Sequence, residues 1–95
     1  MARVELTVVA VEDLDRLTLT HSLPDDTRQR VKHSLRVLER FPLIGRGLEG
    51  RWSSYRVLLG PWRWLLFVYL YDQDKDLVLV VTIQDAQSSL SVTSV

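Results

Sequence analysis

Three apolar segments in the second half of the chain constrain its fold more than any other feature. They span 51–59, 62–71 and 77–83, and short connections separate them, "GP" at 60–61 and "DQDKD" at 72–76. Connections this short join antiparallel neighbours, because a parallel pair needs a crossover of a dozen or more residues. The sequence therefore predicts a three-stranded antiparallel meander, whose apolar side needs a second layer to cover it.

The first half of the chain predicts that second layer. Residues 2–8 alternate like a strand, and apolar residues at helical spacing predict a first helix over 10–19 and a second over 23–41, which Pro42 ends. The glycine-rich segment 42–50 has the composition of a loop. This order predicts an α+β fold, in which two N-terminal helices pack on one face of a small, mainly antiparallel four-stranded sheet.

Length and composition limit the classes of protein that are expected. Ninety-five residues suit one domain, so 1–95 is predicted to be a single domain with a polar tail, 85–95, that frays. The longest apolar run, 64–71, is eight residues, against the roughly 20 that a membrane-spanning helix needs. With no cysteine and with His21 and His33 in unrelated positions, we expect a cytoplasmic protein without metal, cofactor or membrane.

The net charge of zero hides a strongly basic block. Residues 28–63 contain nine basic and two acidic side chains, a net charge of +7, and the rest of the chain carries −7. A basic block in a neutral protein indicates an anionic partner, such as a nucleic acid or an acidic protein. A solvated helix face explains the part of the block that lies on the second helix equally well.

Two arginines in the hairpin "YRVLLGPWRW", 55–64, are the candidate site. If the strands pair across a two- or four-residue connection, Arg56 lies opposite Leu65 and Leu58 lies opposite Arg63. Both arginines then project from one sheet face as a diagonal pair, about 7–8 Å apart. Guanidinium groups bind phosphate in a fork geometry and stabilise charge in phosphodiester cleavage, although no histidine–acid pair is evident beside them.

The face that carries the arginines is predicted to be the open one, and the helices are expected on the face with Tyr55 and the tryptophans. The arginine face also carries Leu58, Leu65, Phe67, Tyr69 and Tyr71. An open face this apolar is typical of a partner-binding surface, for another protein or for a second copy in a homodimer. Coverage by another segment of the chain is the alternative.

The hairpin, together with the order of the elements, resembles the RelE/ParE superfamily of toxins from bacterial type II toxin–antitoxin systems. Tyr55-Arg56-Val57 and Gly60-Pro61-Trp62-Arg63 match the basic and aromatic hairpin of that family, and "LEGRWSSYRV" resembles the segment that leads into it. The resemblance covers residues 3 to about 89.

The resemblance implies a small toxin, of the kind found in plasmid-stabilization modules, that a cognate antitoxin protein holds inactive. RelE-type members are mRNA interferases that repress translation on the ribosome, whereas ParE-type members inhibit DNA gyrase and have no nuclease site. In the RelE-type reading Arg56 and Arg63 are catalytic and bind RNA. Arg46 and Arg51 assist, and Gln87 stands where a basic residue is expected.

Departures from the family pattern leave the activity open. Leu58 stands where ribonuclease members often have a second basic residue, and the chain as a whole is neutral. Translation repression is the first hypothesis, because paired arginines suit cleavage. Gyrase inhibition and a catalytically silent protein-binding module of the same fold are the alternatives.

Overall fold

The computed structural model describes residues 1–86, which form helices on one side of a single sheet. The elements are β1 (Arg3–Leu6), α1 (Val8–Thr20), α2 (Thr27–Leu35), the one-turn α3 (Val37–Arg40), β2 (Arg46–Gly47), a 3₁₀ turn (Gly50–Trp52), β3 (Tyr55–Leu59), β4 (Leu65–Asp72) and β5 (Leu77–Asp85). The predicted α+β class is confirmed. Most of the predicted tail, 85–95, and Gln87 lie outside the described residues.

The sheet has five strands, in the order β1-β5-β4-β3-β2. β1 runs parallel to β5, and the other neighbours are antiparallel. The prediction of four strands was wrong at the outer edge. There Arg46 and Gly47, in the segment predicted as a loop, pair with Val57 and Arg56.

Helix α1 begins where the sequence changes from strand to helical spacing. The Thr7 hydroxyl accepts a hydrogen bond from Ala10 N–H at 3.1 Å, which caps the helix, and donates one to the Val81 carbonyl at 2.9 Å. One side chain therefore starts the helix and ties it to the sheet. The second predicted helix begins later than expected, because 23–26 forms a turn in which the Thr27 hydroxyl donates to the Pro24 carbonyl at 2.6 Å.

The core lies between the helices and one face of the sheet. It consists of Ala2, Ala10, Leu14, Leu17, Val31, Leu35, Leu38, Leu65, Phe67, Tyr69, Val78, Val80 and Ile83. Leu66, Val68 and Leu70, which alternate with the core residues of β4, are half-buried on the opposite face.

The predicted assignment of the two sheet faces was therefore wrong. Leu65, Phe67 and Tyr69 were expected on an open face, but all three are fully buried under the helices. Leu58 and Tyr71 pack against the same core. The physical reason is that both faces of β4 are apolar, and the face with the aromatic rings removes more area from water when the helices cover it.

The hairpin of β3 and β4 has a longer loop than predicted. Arg56 pairs with Tyr69 and Leu58 with Phe67, so the register differs by four residues from the predicted one. Residues 60–64 form the loop, which closes where Gly60 N–H donates to the Leu65 carbonyl at 2.8 Å. A shift of four keeps the same residues on each face, but it removes Arg63 from the paired strands.

Helix α1 also covers the edge of β5 beyond the end of β1. The carboxylate of Asp13, a buried residue, accepts hydrogen bonds from Thr82 Oγ1 at 2.5 Å and from Ile83 N–H at 3.1 Å. Burial acts to raise the pKa of Asp13, but these bonds and the adjacent Arg16 outweigh it and hold the pKa below its ordinary value. The carboxylate thus replaces a missing strand at this edge.

No helix among residues 1–86 is long and apolar enough to cross a bilayer.

Candidate functional site

The end of the hairpin where β3 begins is fixed to the loop that precedes β2. Arg56 Nη1 donates hydrogen bonds to the carbonyl oxygens of Leu43, at 3.1 Å, and Gly45, at 2.8 Å. Gly45 N–H in turn donates to the Tyr69 hydroxyl at 2.9 Å. We call Gly45, Arg56 and Tyr69 the anchored end. Its arginine is half-buried and binds the protein's own backbone.

Close packing at the anchored end requires a glycine. A Cβ atom on Gly45 would lie 2.6 Å from the Tyr69 hydroxyl oxygen and 2.9 Å from the Val57 carbonyl oxygen, well inside van der Waals contact. Burial raises the pKa of Tyr69 above its ordinary value, against smaller lowering effects of the Gly45 hydrogen bond and the Arg56 charge. The hydroxyl therefore stays neutral and serves as an acceptor for the loop.

The loop at the other end of the hairpin is attached to the helices by stacked side chains. The rings of Trp62 and Trp64 stack at 5.9 Å, and the His21 ring stacks on Trp64 at 4.2 Å. The Arg30 guanidinium lies 6.0 Å from the Trp62 ring centre. We call Trp62, Arg63, Trp64 and His21 the stacked end. Arg63 is exposed there, in the loop.

A histidine–aspartate pair completes the stacked end. His21 Nε2 lies 3.1 Å from Asp85 Oδ2, and the side chains are 34% and 15% exposed. The adjacent backbone is fixed as well, because Ala86 N–H donates to the Trp64 carbonyl at 2.6 Å. Sequence analysis missed this pair, since 64 residues separate its members and no spacing rule joins them.

The predicted pair of arginines is not brought together. Arg56 is three strand steps from the end of β3, roughly 10 Å at about 3.3 Å per residue, and Arg63 lies beyond that end in the loop. Arg46 is exposed and paired with Val57, which puts it on the sheet face opposite the core. The predicted diagonal geometry was wrong, because it centred the turn on Gly60 and Pro61, whereas the loop spans 60–64.

Arg51 lies near the same face as Arg46. Its guanidinium is 5.4 Å from the ring centre of Trp52, whose ring contacts Tyr55 at 5.9 Å. Arg46 and Arg51 therefore border the half-buried sheet face, which lies opposite the core. No cluster of residues that could hold a metal ion occurs in the part of the chain that the structure describes.

The basic block is partly neutralised within the protein. Arg28 pairs with Asp15 at 2.9 Å and Arg30 with Asp26 at 3.0 Å. No ion pair within residues 1–86 involves the remaining cations of the helical segment. These are Lys32, Arg36 and Arg40. They lie on α2, at the residue between α2 and α3, and on α3, and all three are exposed, so part of the positive field comes from this helical segment.

Comparison with solved structures gives close agreement in fold at low sequence identity. A chain of the RelBE2 toxin–antitoxin complex from Mycobacterium tuberculosis superposes with a TM-score of 0.66 at 21% identity, over 88% of this chain and 96% of that one. A mutant of the E. coli toxin RelE, in complex with an antitoxin RelBc peptide, gives 0.71 at 18% identity, over 99% and 94%.

A third structure extends the agreement to another organism. A copper-bound mutant toxin from Helicobacter pylori gives a TM-score of 0.71 at 20% identity, over 93% of this chain and 98% of that one. The chain has the RelE fold. No family model matches the sequence, and no curated protein matches it. The RelE-like architecture that the hairpin motif predicted is thus confirmed by structure, at a sequence distance where the fold is what the likeness shows.

Proposed function

We propose that this chain is the toxin of a type II toxin–antitoxin pair and that it represses translation by cleaving mRNA. The observation that carries the proposal is the match to the RelE toxin of E. coli over 99% of this chain and 94% of that one. A fold hosts several activities, so the residues must be tested directly.

The proposed site lies at the stacked end of the hairpin. Arg63 is exposed there and provides a guanidinium for the RNA phosphate, whereas Arg56 already uses Nη1 for two backbone carbonyls. Arg46 and Arg51, on the other side of the sheet, are proposed to guide the RNA backbone by charge. Gyrase inhibition competes with this proposal, because the engaged Arg56 leaves one arginine fewer for cleavage.

The proposed partner is a cognate antitoxin with an acidic surface. Lys32, Arg36 and Arg40 form an exposed basic row, to which an acidic partner would associate rapidly and with strong salt dependence. A cytoplasmic location is part of the proposal, because the ribosomes on which such a toxin would act are there.

Translation and supercoiling assays with the purified chain test the proposal. In a cell-free translation extract, we expect reporter synthesis to fall and new mRNA ends to appear, while gyrase supercoiling continues. Arg63→Ala should reduce cleavage about tenfold to a hundredfold, since a phosphate contact of this kind contributes about 1.5–3 kcal/mol. Arg40→Ala is the matched control. Arg40 is also an exposed arginine, but it lies on α3, so this variant should cleave like the wild type.

Two results would contradict the proposal in different ways. Intact mRNA together with inhibited supercoiling would assign the chain to gyrase inhibition. Normal translation, intact mRNA and normal supercoiling, with no growth arrest on expression, would leave the catalytically silent binding module of the same fold.

A further inference from the structure

The stacked end contains a titratable pair that supplies the proton transfer missing from an arginine-only site. We propose that His21 is the general base of the RNA cleavage and that Asp85 is its positioning residue. This inference rests on the proposed function and deepens it, since it assigns the chemistry and the substrate class. The substrate class is RNA, because the proposed step requires a free 2′-hydroxyl group.

The geometry of the pair fixes which imidazole nitrogen is available. Nε2 of His21 lies 3.1 Å from Asp85 Oδ2, a hydrogen-bond distance, so the carboxylate holds the tautomer with the proton on Nε2. Nδ1 then carries the free lone pair, and no hydrogen bond from another residue in 1–86 reaches it. A histidine oriented by a carboxylate through one nitrogen, with the other nitrogen free, is the arrangement that general-base catalysis requires.

The orientation of the ring is fixed on its flat side as well. The indole of Trp64 stacks against it at 4.2 Å with an angle of 26° between the planes. Asp85 is the charged group in contact with the imidazole, and Trp64 contributes an uncharged surface. A ring fixed at both an edge and a face pays little reorganisation cost when the substrate arrives.

The neighbouring residues identify the substrate as a phosphodiester. Arg63 precedes Trp64 in the same loop and is exposed, so the loop that packs on the imidazole also presents a guanidinium to solvent. The rings of Trp62 and Trp64 contact one another, the His21 ring and the Arg30 guanidinium, so they hold this loop in place beside the imidazole. A base packed on this loop and an exposed cation in it suit an RNA phosphodiester, which carries a 2′-hydroxyl group beside the phosphate.

The cleavage step balances without any cofactor. Nδ1 of His21 takes the proton of a ribose 2′-hydroxyl, and the 2′-oxygen attacks the adjacent phosphorus. The bond from phosphorus to the 5′-oxygen breaks, and that oxygen takes a proton from water. The products are a 2′,3′-cyclic phosphate and a 5′-hydroxyl, and the imidazolium returns its proton to the hydroxide that the water leaves.

Variants of the two histidines in the same cleavage assay test the inference. His21→Gln keeps a donor for Asp85 but has no basic nitrogen, so we expect the cleavage rate to fall at least a hundredfold. His33→Gln is the matched control and should cleave at the wild-type rate. His33 is the other histidine of the chain and is exposed on α2. His33→Gln should unfold at the wild-type urea concentration, whereas His21→Gln loses the ring stacked on Trp64 and should unfold at a lower one. The cleavage rates are therefore compared without urea, where circular dichroism shows that both variants are folded.

The pH profile and the RNA products distinguish a base from a structural contact. The wild-type cleavage rate should fall on acidification, because a protonated imidazole accepts no proton. The residual cleavage rate of His21→Gln should not fall in this way. Asp85→Asn should lower the rate and move the midpoint of the wild-type profile. A 2′-deoxy substitution at the cleaved nucleotide should abolish cleavage, and the wild-type product should end in a cyclic phosphate.

Each alternative outcome overturns a different statement. Full activity of His21→Gln, with the same pH profile as the wild type, would reject His21 as the base while mRNA cleavage by this toxin stands. Cleavage of the 2′-deoxy substrate would reject the 2′-hydroxyl mechanism. A wild-type chain that cleaves no RNA would overturn the inference and the proposed function together.

Discussion

The two ends of the β3–β4 hairpin use the same residue type in opposite ways. At the anchored end, Arg56 is half-buried and its Nη1 binds two backbone carbonyls. At the stacked end, Arg63 is exposed, and tryptophans hold the loop against the helices. The difference teaches that the surroundings decide what an arginine does. A loop with unpaired carbonyls recruits the guanidinium for structure, whereas a loop fixed by stacking leaves it to solvent and ligands.

The largest expected effect comes from crowding the anchored end. Gly45→Ala places a Cβ atom 2.6 Å from the Tyr69 hydroxyl oxygen and 2.9 Å from a backbone carbonyl oxygen, which cannot rotate away. We expect a loss of about 3 kcal/mol in the free energy of unfolding, measured with urea. Gly47→Ala is the control, because its nearest contact would be the end of the Arg56 side chain at 3.9 Å. Equal losses in both variants would show that the close packing at Gly45 is not the cause.

The next effect comes from removing the stack. Trp64→Ala takes away the ring that contacts both His21 and Trp62, and the side chain is half-buried. We expect a loss of about 2 kcal/mol, below the 3–5 kcal/mol typical of a fully buried tryptophan. Trp52→Ala is the control, since that indole is 53% exposed and lies outside the stack. A smaller loss for Trp64→Ala than for Trp52→Ala would contradict the stacked end as a structural contact.

A matched pair of arginine substitutions measures the comparison itself. Arg56→Met keeps much of the apolar stem but loses two hydrogen bonds to carbonyls, so we expect a loss of about 1–2 kcal/mol. Arg63→Met should change stability by no more than about 0.5 kcal/mol, because the side chain is exposed. In the cleavage assay the order should reverse, with Arg63→Met the more damaging. The same order in both assays would mean that the two ends do not divide structure from function.

The smallest effect is the pH dependence that Asp13 gives to the free energy of unfolding. Its carboxylate accepts hydrogen bonds from β5, the strand that pairs with β4. The folded pKa of Asp13 lies below its ordinary value of 3.8, so its contribution to stability is present above about pH 4 and is lost as the pH falls through the folded pKa. Asp13→Asn should flatten the acid side of the stability curve measured by urea unfolding. Asp15→Asn, at an exposed ion pair on the same helix, should leave the slope unchanged.

The sequence predicted the order of the elements well, because periodicity and turn residues are local signals. It also grouped the residues of β4 correctly into two faces, since the side-chain period of a strand is two. It could not choose the covered face, as Leu65, Phe67 and Tyr69 on one side and Leu66 and Val68 on the other are all apolar. That choice depends on which rings the helices reach.

The candidate site was less predictable than the fold. Arg63 was identified from its motif, but its distance from Arg56 depended on the length of a loop that Pro61 made irregular. His21 and Asp85 meet only because α1 runs beside the edge of β5, a tertiary contact that no local pattern encodes. The role of Gly45 likewise becomes visible only when Tyr69 is placed above it.

The parallel pairing of β1 with β5 determines when the sheet is completed during synthesis. β5 lies between β1 and β4, yet it is made after both of them. Until β5 has emerged, β1 has no strand to pair with, and the core lacks Val78, Val80 and Ile83. The Asp85 carboxylate that contacts His21 is also missing. A nascent chain that stops before Leu77 therefore lacks both the strand that joins β1 to β4 and the carboxylate that orients the His21 ring.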